Sequence, residues 1–504
     1  MSESKIQPLA VIAARLQAAR RAGQKVAQCH GCFDLLHIGH IRHLQSARRM
    51  GDVLVVTVTP DRYVNKGPGR PAFPERVRAE ALAALDCVDF VAIDQSPTAV
   101  EAIGVLQPDY YVKGQEFAGS RHLPPRLQAE VDAVRAAGGD VRFTHEPVYS
   151  STALLQSHAI TEEVRPFLDS FRTRHSIDDV LSRLDELQTL RVLVIGEAII
   201  DEYNYCSPLG KSPKEAIVTM KYLRQERHAG GAIACANHLA GLCGDVELVT
   251  GLGGQDSHET FVREHLRHNV RPKFFIRPDA PTITKRRYMW DPFLVKMFEV
   301  ALMDDSPLPA DLEDGMLAYL DDALPRYDLV IVADYGHGLL SPRAANAIAS
   351  GARFLAVNTQ ANAANFGFNL ITKYSRASYV CIDEPEIRLA MQDRSGDAGD
   401  LADAVRERLG CAAVSVTRGG QGALTCGAGG VRWDVPVVSR ALVDRTGAGD
   451  AYLAVTAPCV QSGMPLEMVA LVGSAAGAIA VQVVGNRSSV EPADLRKLLT
   501  TLLQ

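Results

Sequence analysis

Cysteine is scarce: ten residues in 504, irregularly spaced. That pattern excludes a disulfide framework and fits a reducing, cytoplasmic setting. Cys29 and Cys32 form a CxxC with no second pair at zinc-finger spacing, so they read as small apolar side chains at a strand end. A basic excess is also lacking. The formal charge is −6, and even residues 1–160 carry only 18 basic against 16 acidic side chains. No basic stripe interleaved with aromatics occurs, which argues against a nucleic-acid partner. The opening MSESKIQPLA has no apolar secretory core. The longest nearly apolar run, Leu471 to Gly485, is too short to span a bilayer and reads as a buried helix, so no membrane partner is expected. Internal repeats and low-complexity tracts are absent.

What is present is length and alternation. A chain of 504 residues is expected to hold two to four domains at about 100–200 residues each. Strand-like and helix-like segments alternate throughout, which predicts an α/β fold with parallel sheets. Lys25–Cys29, Asp52–Thr59 and Val88–Ile93 read as strands, and His40–Met50 and Glu75–Leu85 as helices. Residues 157–188 turn charged and helical before a fresh apolar strand at Arg191–Ile200. The expected division is therefore 1–160, a helical linker at 161–188, and 189–504.

Two strand-to-helix turns carry chemistry. The first runs Gly31-Cys32-Phe33-Asp34-Leu35-Leu36-His37-Ile38-Gly39-His40. Chain ends of parallel strands are where α/β proteins bind ligands. Gly31 permits close approach of a phosphate, and a helix start directs free N–H groups at it. His37 and His40 can both donate to phosphate oxygens as the α-phosphorus of a nucleoside triphosphate is attacked. The second turn is Asp444-Arg445-Thr446-Gly447-Ala448-Gly449-Asp450-Ala451-Tyr452. The N–H groups of Gly447, Ala448 and Gly449 can form an anion hole. Asp450 beside them can take a proton from an attacking hydroxyl during γ-phosphate transfer. Gly210-Lys211-Ser212 is not a Walker A motif, because the required upstream Gly falls at Tyr205.

The first turn, GxFDxxHxGH, resembles the signature of the cytidylyltransferase-like nucleotidyltransferases. The resemblance implies that Gly31, Phe33 and Asp34 bind nucleotide and that Lys66 joins His37 and His40 in catalysis. Lys66-Gly67, Arg70-Pro71 and Pro74-Glu75-Arg76, with Pro108 to Gly114, resemble the sugar-phosphate adenylyltransferase branch; Lys113 is the implied sugar contact. Ser150-Ser151-Thr152 resembles that superfamily's phosphate-contacting motif. No motif reads the base, so ATP and CTP stay open.

The second turn, DxTGAGDAx, resembles the signature of ribokinase-like (PfkB-type) sugar kinases. The resemblance implies substrate contacts from Asp201, Gly230, Gly231 and Lys285. It implies nucleotide contacts from Asp383-Glu384-Pro385-Glu386, with Glu386 arranging Mg²⁺, and from Thr417, Gly419 and Gly422. Together the halves resemble the bifunctional heptose-7-phosphate kinase/heptose-1-phosphate adenylyltransferase family with its domains in swapped order. The implied architecture is a Rossmann-like nucleotidyltransferase domain followed by a ribokinase-like α/β domain. The implied activities, with ATP and Mg²⁺, are phosphorylation of a sugar at its anomeric position and transfer of a nucleotide to a sugar 1-phosphate, giving an ADP-sugar and pyrophosphate. A homodimer through the kinase domain is implied as well.

The chain departs from the family pattern at Ala234 (for Asn), His337 (for Lys), Asn358-Thr359-Gln360 (for Asp-Pro-Lys) and Asp383 (for Asn). These departures leave three readings open: the family heptose, a different sugar, or a kinase-like half that senses sugar or dimerises. The Asn-rich stretch Asn358–Asn369 is either part of an altered pocket or an ordinary polar loop.

Overall fold

The computed structural model describes residues 3–64, 71, 73–114, 125–144, 161–291 and 293–503. The chain divides into two compact units, Met1–His158 and Ala159–Gln504.

In the first unit, helices α1 (Leu9–Arg21), α2 (Ile38–Met50), α3 (Glu75–Ala83), α4 (Val100–Leu106) and α5 (Pro125–Ala136) alternate with strands β1 (Val26–Gly31), β2 (Val53–Val58), β3 (Phe90–Ile93), β4 (Tyr110–Lys113) and β5 (Asp140–Phe143). Among the described residues the strands form one parallel sheet in the order β3-β2-β1-β4-β5. Every residue of β2 is buried, as a parallel strand covered on both faces requires. The strand order reverses between β1 and β4, which places a crevice at their carboxyl ends. Gly31 and Lys113 are the last residues of those two strands.

The second unit opens with α6 (Arg165–Arg172) and α7 (Ile177–Glu186). These two helices lie in the stretch 161–188, and their apolar face is buried in this unit's core. Leu168, Phe171, Val180 and Leu184 cluster there with Leu495, Leu499 and Leu502 of the last helix. Both helices are amphipathic, and a helix with an apolar stripe needs a partner. Phe171 is fully buried, so Phe171→Ala is expected to destabilise this unit by about 3–5 kcal/mol. Urea unfolding of the full chain checks this. A change within about 0.5 kcal/mol, the range of surface substitutions, would return these helices to the status of a linker.

Strands β6 (Arg191–Gly196), β7 (Ala198–Lys211) and β8 (Val218–Gly231) lead to α8 (Ala232–Leu242), β9 (Asp245–Gln255), α9 (Glu259–His265), β10 (Val270–Pro281), β11 (Thr284–Trp290) and β12 (Val295–Leu302). Next come α10 (Ala310–Ala323), β13 (Leu329–Asp334), α11 (Pro342–Gly351), β14 (Leu355–Thr359), β15 (Tyr379–Asp383), α12 (Glu384–Met391) and α13 (Ala398–Leu409). The chain ends with β16 (Ala413–Thr417), β17 (Ala423–Gly427), β18 (Arg432–Val435), α14 (Ala448–Gln461), α15 (Leu466–Ala480) and α16 (Pro492–Leu503).

Among the described residues these strands make a nine-stranded sheet, β10-β9-β6-β13-β14-β15-β16-β17-β18, and a four-stranded one, β12-β11-β7-β8. The larger sheet is parallel up to β16, with β17 and β18 antiparallel. Its order reverses between β6 and β13. The single strand expected at Arg191–Ile200 is split at Glu197, where the chain leaves the large sheet for the small one. The apolar run Leu471–Gly485 is helical only to Ala480, within α15. No helix among the described residues is long and apolar enough to cross a membrane. All ten cysteines are free thiols.

Candidate active sites

In the first unit, the turn after β1 is built by a short left-handed step. Phe33 has φ 46°, and its ring packs over Gly31, where a Cβ would come within 3.2 Å of it. Non-glycine residues rarely adopt that conformation, and strain of this kind clusters at functional turns. His37 then caps α2: its Nδ1 accepts the N–H of Gly39 at 3.1 Å. His40 donates from Nδ1 to the Leu35 carbonyl at 3.1 Å. The two imidazoles stack with centroids 3.9 Å apart, and Phe33 meets His40 edge-on at 5.3 Å. Burial pulls the His37 ring below its ordinary pKa. The predicted pair is therefore brought together at the helix start, each ring oriented by a backbone hydrogen bond. Asp34 is buried and accepts the Phe73 N–H at 3.4 Å.

Sequence reasoning missed Arg78. It is fully buried and donates to the carbonyls of Phe73 and Thr59, each at 2.9 Å, to the Cys32 carbonyl, and to Asp61 at 2.6 Å. One guanidinium thus ties three loops at the crevice, a use for which its five fixed donors suit it. Its place two residues after Pro74-Glu75-Arg76 was the available signal. Lys113 stands at the end of β4, paired with the buried Glu130 at 2.9 Å. Lys66, Ser150, Ser151 and Thr152 lie outside the described residues.

In the second unit, one cleft of about 1300 Å³ gathers most of the predicted residues. Asp201, Gly231, Lys285, Asp383, Glu384, Pro385, Glu386, Thr417, Gly419, Gly422, Gly447, Ala448, Gly449 and Asp450 all line it. Gly447 is the N-cap of α14, with φ 82°. A Cβ there would also come within 2.1 Å of Asn486, so the anion turn admits only glycine. Asp450 follows in the first turn of α14 and accepts the Tyr335 hydroxyl at 2.6 Å. Burial raises its carboxyl to about 6, against the opposing effects of Tyr335 and Lys285.

Asp201 is buried on β7 and ion-paired with Arg287 of β11, which sequence reasoning missed. Gly230 is not on the cleft lining; it pairs with Ile199 across the strands and lies diagonally beside Asp201, where a Cβ would meet the carboxylate at 2.1 Å. Its role is to leave room for that carboxylate. Lys285 is nearly buried, which lowers its pKa.

Burial pushes the Glu386 carboxyl up to about 7. Glu386 also closes a capping box, accepting the N–H of Asp383 at 3.1 Å and that of Ala361 at 2.9 Å. Among the described residues no group of three or more potential ligands gathers that could hold a metal ion. Thr417 donates to Asp383 at 3.1 Å. Gly422 has φ 90° and lies against the Val435 carbonyl. Also on the lining are Val437, Val438, Ser474, Gly477, Ala478 and Val481. Their small or apolar side chains carry no motif, so sequence reading had no hold on them.

The departures from the family pattern fall in different places. Asn358 lines the cleft and donates to the Cys381 carbonyl at 2.9 Å. Ala234 and His337 are buried away from the lining, and burial lowers His337 to about 4.

Lys296 of β12 reaches Asp444 at 2.6 Å and also touches Thr446. Tyr203 of β7 donates to the same Asp444 at 2.6 Å. Burial opposes ionisation of Asp444, but these donors hold its carboxyl at about 2. The small sheet is therefore fastened to the segment that leads into the anion turn.

An open α/β sheet with an anion turn, a carboxylate beside it and a cleft at the strand ends defines a phosphotransferase class of architecture. Residues 189–493 match the pfkB family carbohydrate kinase model, and the chain belongs to that family. Residues 29–163 match the cytidylyltransferase-like model, so the nucleotidyltransferase-type domain precedes the kinase-type domain. The chain is similar to the Bifunctional protein HldE of Trichlorobacter lovleyi, 35% identical over 189 residues, covering 37% of this chain and 33% of that protein. It is 45% identical over 144 residues to the protein of the same name from Geotalea uraniireducens, covering 28% of each. The aligned stretch thus spans a third or less of these curated relatives. A phosphofructokinase-2 variant from Escherichia coli shares the fold at TM-score 0.51 and 15% identity, covering 63% of this chain and all of that one.

Proposed function

We propose that the chain is a bifunctional sugar-activating enzyme. Its second unit phosphorylates a sugar phosphate of the heptose 7-phosphate type at the anomeric hydroxyl. Its first unit transfers a nucleotide from ATP to a sugar 1-phosphate, releasing pyrophosphate. The observation that supports this most is the convergence of Asp201, Lys285, the Gly447–Gly449 turn and Asp450 on one cleft.

In the kinase step, Asp450 takes the proton of the acceptor hydroxyl as its oxygen attacks the γ-phosphorus and ADP leaves. The N–H groups of the anion turn and the positive end of α14 stabilise the charge that develops. Magnesium suits the desolvated Glu386 carboxylate, since the ion keeps several waters and needs only one or two carboxylates beside nucleotide phosphates. When bound, it would neutralise phosphate charge. Asp201 would accept hydrogen bonds from sugar hydroxyls, and Lys285 would donate to sugar oxygens or to the sugar's own phosphate, with Arg287 holding the Asp201 carboxylate in place. In the first unit, His37, His40 and Lys66 would neutralise the triphosphate, with Gly31, Phe33 and Asp34 shaping its seat and Ser150, Ser151 and Thr152 assisting. Lys113 would contact the sugar.

ADP-release and pyrophosphate-release assays over a panel of sugar phosphates test this reading. Both activities are expected. Pyrophosphate release alone would leave the second unit as a sugar-sensing or dimerising module.

The small sheet exposes Tyr222, Phe298, Val295 and Val300. Such a patch marks an interaction surface, and a homodimer through this sheet is the proposed use. Light scattering should give a dimer for the unsubstituted chain and a monomer for Phe298→Asp; an unaltered mass would place the contact elsewhere.

A further inference from the structure

We propose that Tyr335 is a positioning residue of phosphoryl transfer: its phenol holds one oxygen of Asp450 so that the other faces the acceptor hydroxyl. This rests on the kinase reading above. The Tyr335 hydroxyl donates to Oδ1 of Asp450 at 2.6 Å, and among the described residues it is the one hydrogen-bond donor to the Asp450 side chain. A carboxylate pinned at one oxygen cannot spin out of line, so its second lone pair is pre-organised for the incoming proton.

The tyrosine is itself held from two sides. It follows β13 in a turn where Gly336 has φ 67°. From the break between β6 and β7, the Glu197 carboxylate accepts the N–H of Tyr335 at 2.9 Å and that of His337 at 3.0 Å. From the Asn-rich loop, Asn362 and Asn365 donate to the Tyr335 carbonyl at 2.9 and 2.7 Å. Asn369 donates to the Asp334 carbonyl at 3.0 Å. A Cβ at Gly336 would sit 2.3 Å from Asn365, so the loop closes directly on the turn. Both backbone groups of Tyr335 are therefore hydrogen-bonded, so the phenol is aimed from a turn fixed on two sides.

The groups whose charge bears on Asp450 are Asp201 of β7 and Lys285 of β11. Cys235 of α8, Cys381 of β15 and Glu386 of α12 couple to it as well. None of these replaces the phenol's hydrogen bond. Burial and the neighbouring carboxylate raise the Tyr335 phenol well above its ordinary value, so it keeps its proton throughout. In the step, the acceptor O–H proton passes to the outer oxygen of Asp450. The acceptor oxygen bonds to the γ-phosphorus, and the bond from that phosphorus to the bridging oxygen of ADP breaks.

The test is Tyr335→Phe in the full chain, which keeps the ring and removes one hydroxyl. The kcat–pH profile is measured with saturating ATP–Mg²⁺ and heptose 7-phosphate. A hydrogen bond to the charged form favours that form, so its loss is expected to move the acidic limb up by about one pH unit. The KM for the sugar should stay within about twofold, because the phenol acts on the base and not on ground-state binding. If the phenylalanine chain fails to fold, 3-fluorotyrosine at position 335, a more acidic phenol, is expected to move the limb down. An unmoved limb in the folded variant overturns the role of Tyr335. Absence of sugar phosphorylation by the unsubstituted chain would instead overturn the kinase reading itself.

Discussion

Asp450→Asn is expected to cut sugar phosphorylation by about a hundred- to ten-thousand-fold, the range for losing a positioned general base. The substitution keeps the size of the side chain and its place in the first turn of α14, so the anion turn and the fold should survive. Nucleotidyl transfer in the first unit should be unchanged. The same carboxylate fixes a pH dependence. Its pKa is raised to about 6 by burial, and only the ionised form accepts a proton. Phosphorylation should therefore be steady above neutrality and fall as the pH drops through about 6. An ADP-release assay over pH reads both effects. Asp450→Asn with more than a tenth of the unsubstituted rate would remove Asp450 from the role of base.

The second large effect is expected at His40. Its ring is oriented by the Leu35 carbonyl and stacked on His37 at the start of α2. A donor that meets charge developing on a phosphate is worth about a hundred- to thousandfold in rate. His40→Ala should lower pyrophosphate release by that factor and leave sugar phosphorylation intact. His40 also touches the core residue Phe33 edge-on, so a circular dichroism spectrum and a melting curve are needed to show that His40→Ala keeps the fold. Loss of both activities together in a folded protein would contradict the assignment of separate sites.

Motif-bearing turns were legible in the sequence because their residues are contiguous. GxFDxxHxGH and DxTGAGD each place glycine, anion-binding N–H groups and a titratable side chain on one strand-to-helix turn, and the structure brings each set together. The large α/β layout was legible from alternation for the same reason. Contacts formed across the fold were not. Arg287 meets Asp201 only because β11 pairs with β7, and Arg78 reaches Cys32 and Thr59 across loops far apart in the chain. The Asn-rich stretch looked like a pocket wall or a plain loop. It is part pocket wall and part clamp: Asn358 and Gln360 line the cleft, while Asn362, Asn365 and Asn369 clamp the Asp334–His337 turn, because their amides find backbone carbonyls there. The stretch 161–188 looked like a linker because its charged face dominates the composition. Its sparser apolar face, Leu168, Phe171, Val180 and Leu184, only acquires meaning once the core it fills is known. Glycines also changed meaning: Gly230 reads as a pocket residue in the motif, yet its contribution is space for Asp201.

The central claim is that one chain carries two independent sites, one for phosphoryl and one for nucleotidyl transfer. The most direct test follows ATP labelled at either the γ- or the α-phosphate, with heptose 7-phosphate and heptose 1-phosphate supplied separately, and identifies the products by mass spectrometry. The account predicts γ-label on the 7-phosphate sugar as a bisphosphate, and α-label on the 1-phosphate sugar as an ADP-sugar. It further predicts that Asp450→Asn removes only the first product. Absence of either product from every sugar phosphate supplied, or loss of both in Asp450→Asn, would contradict it.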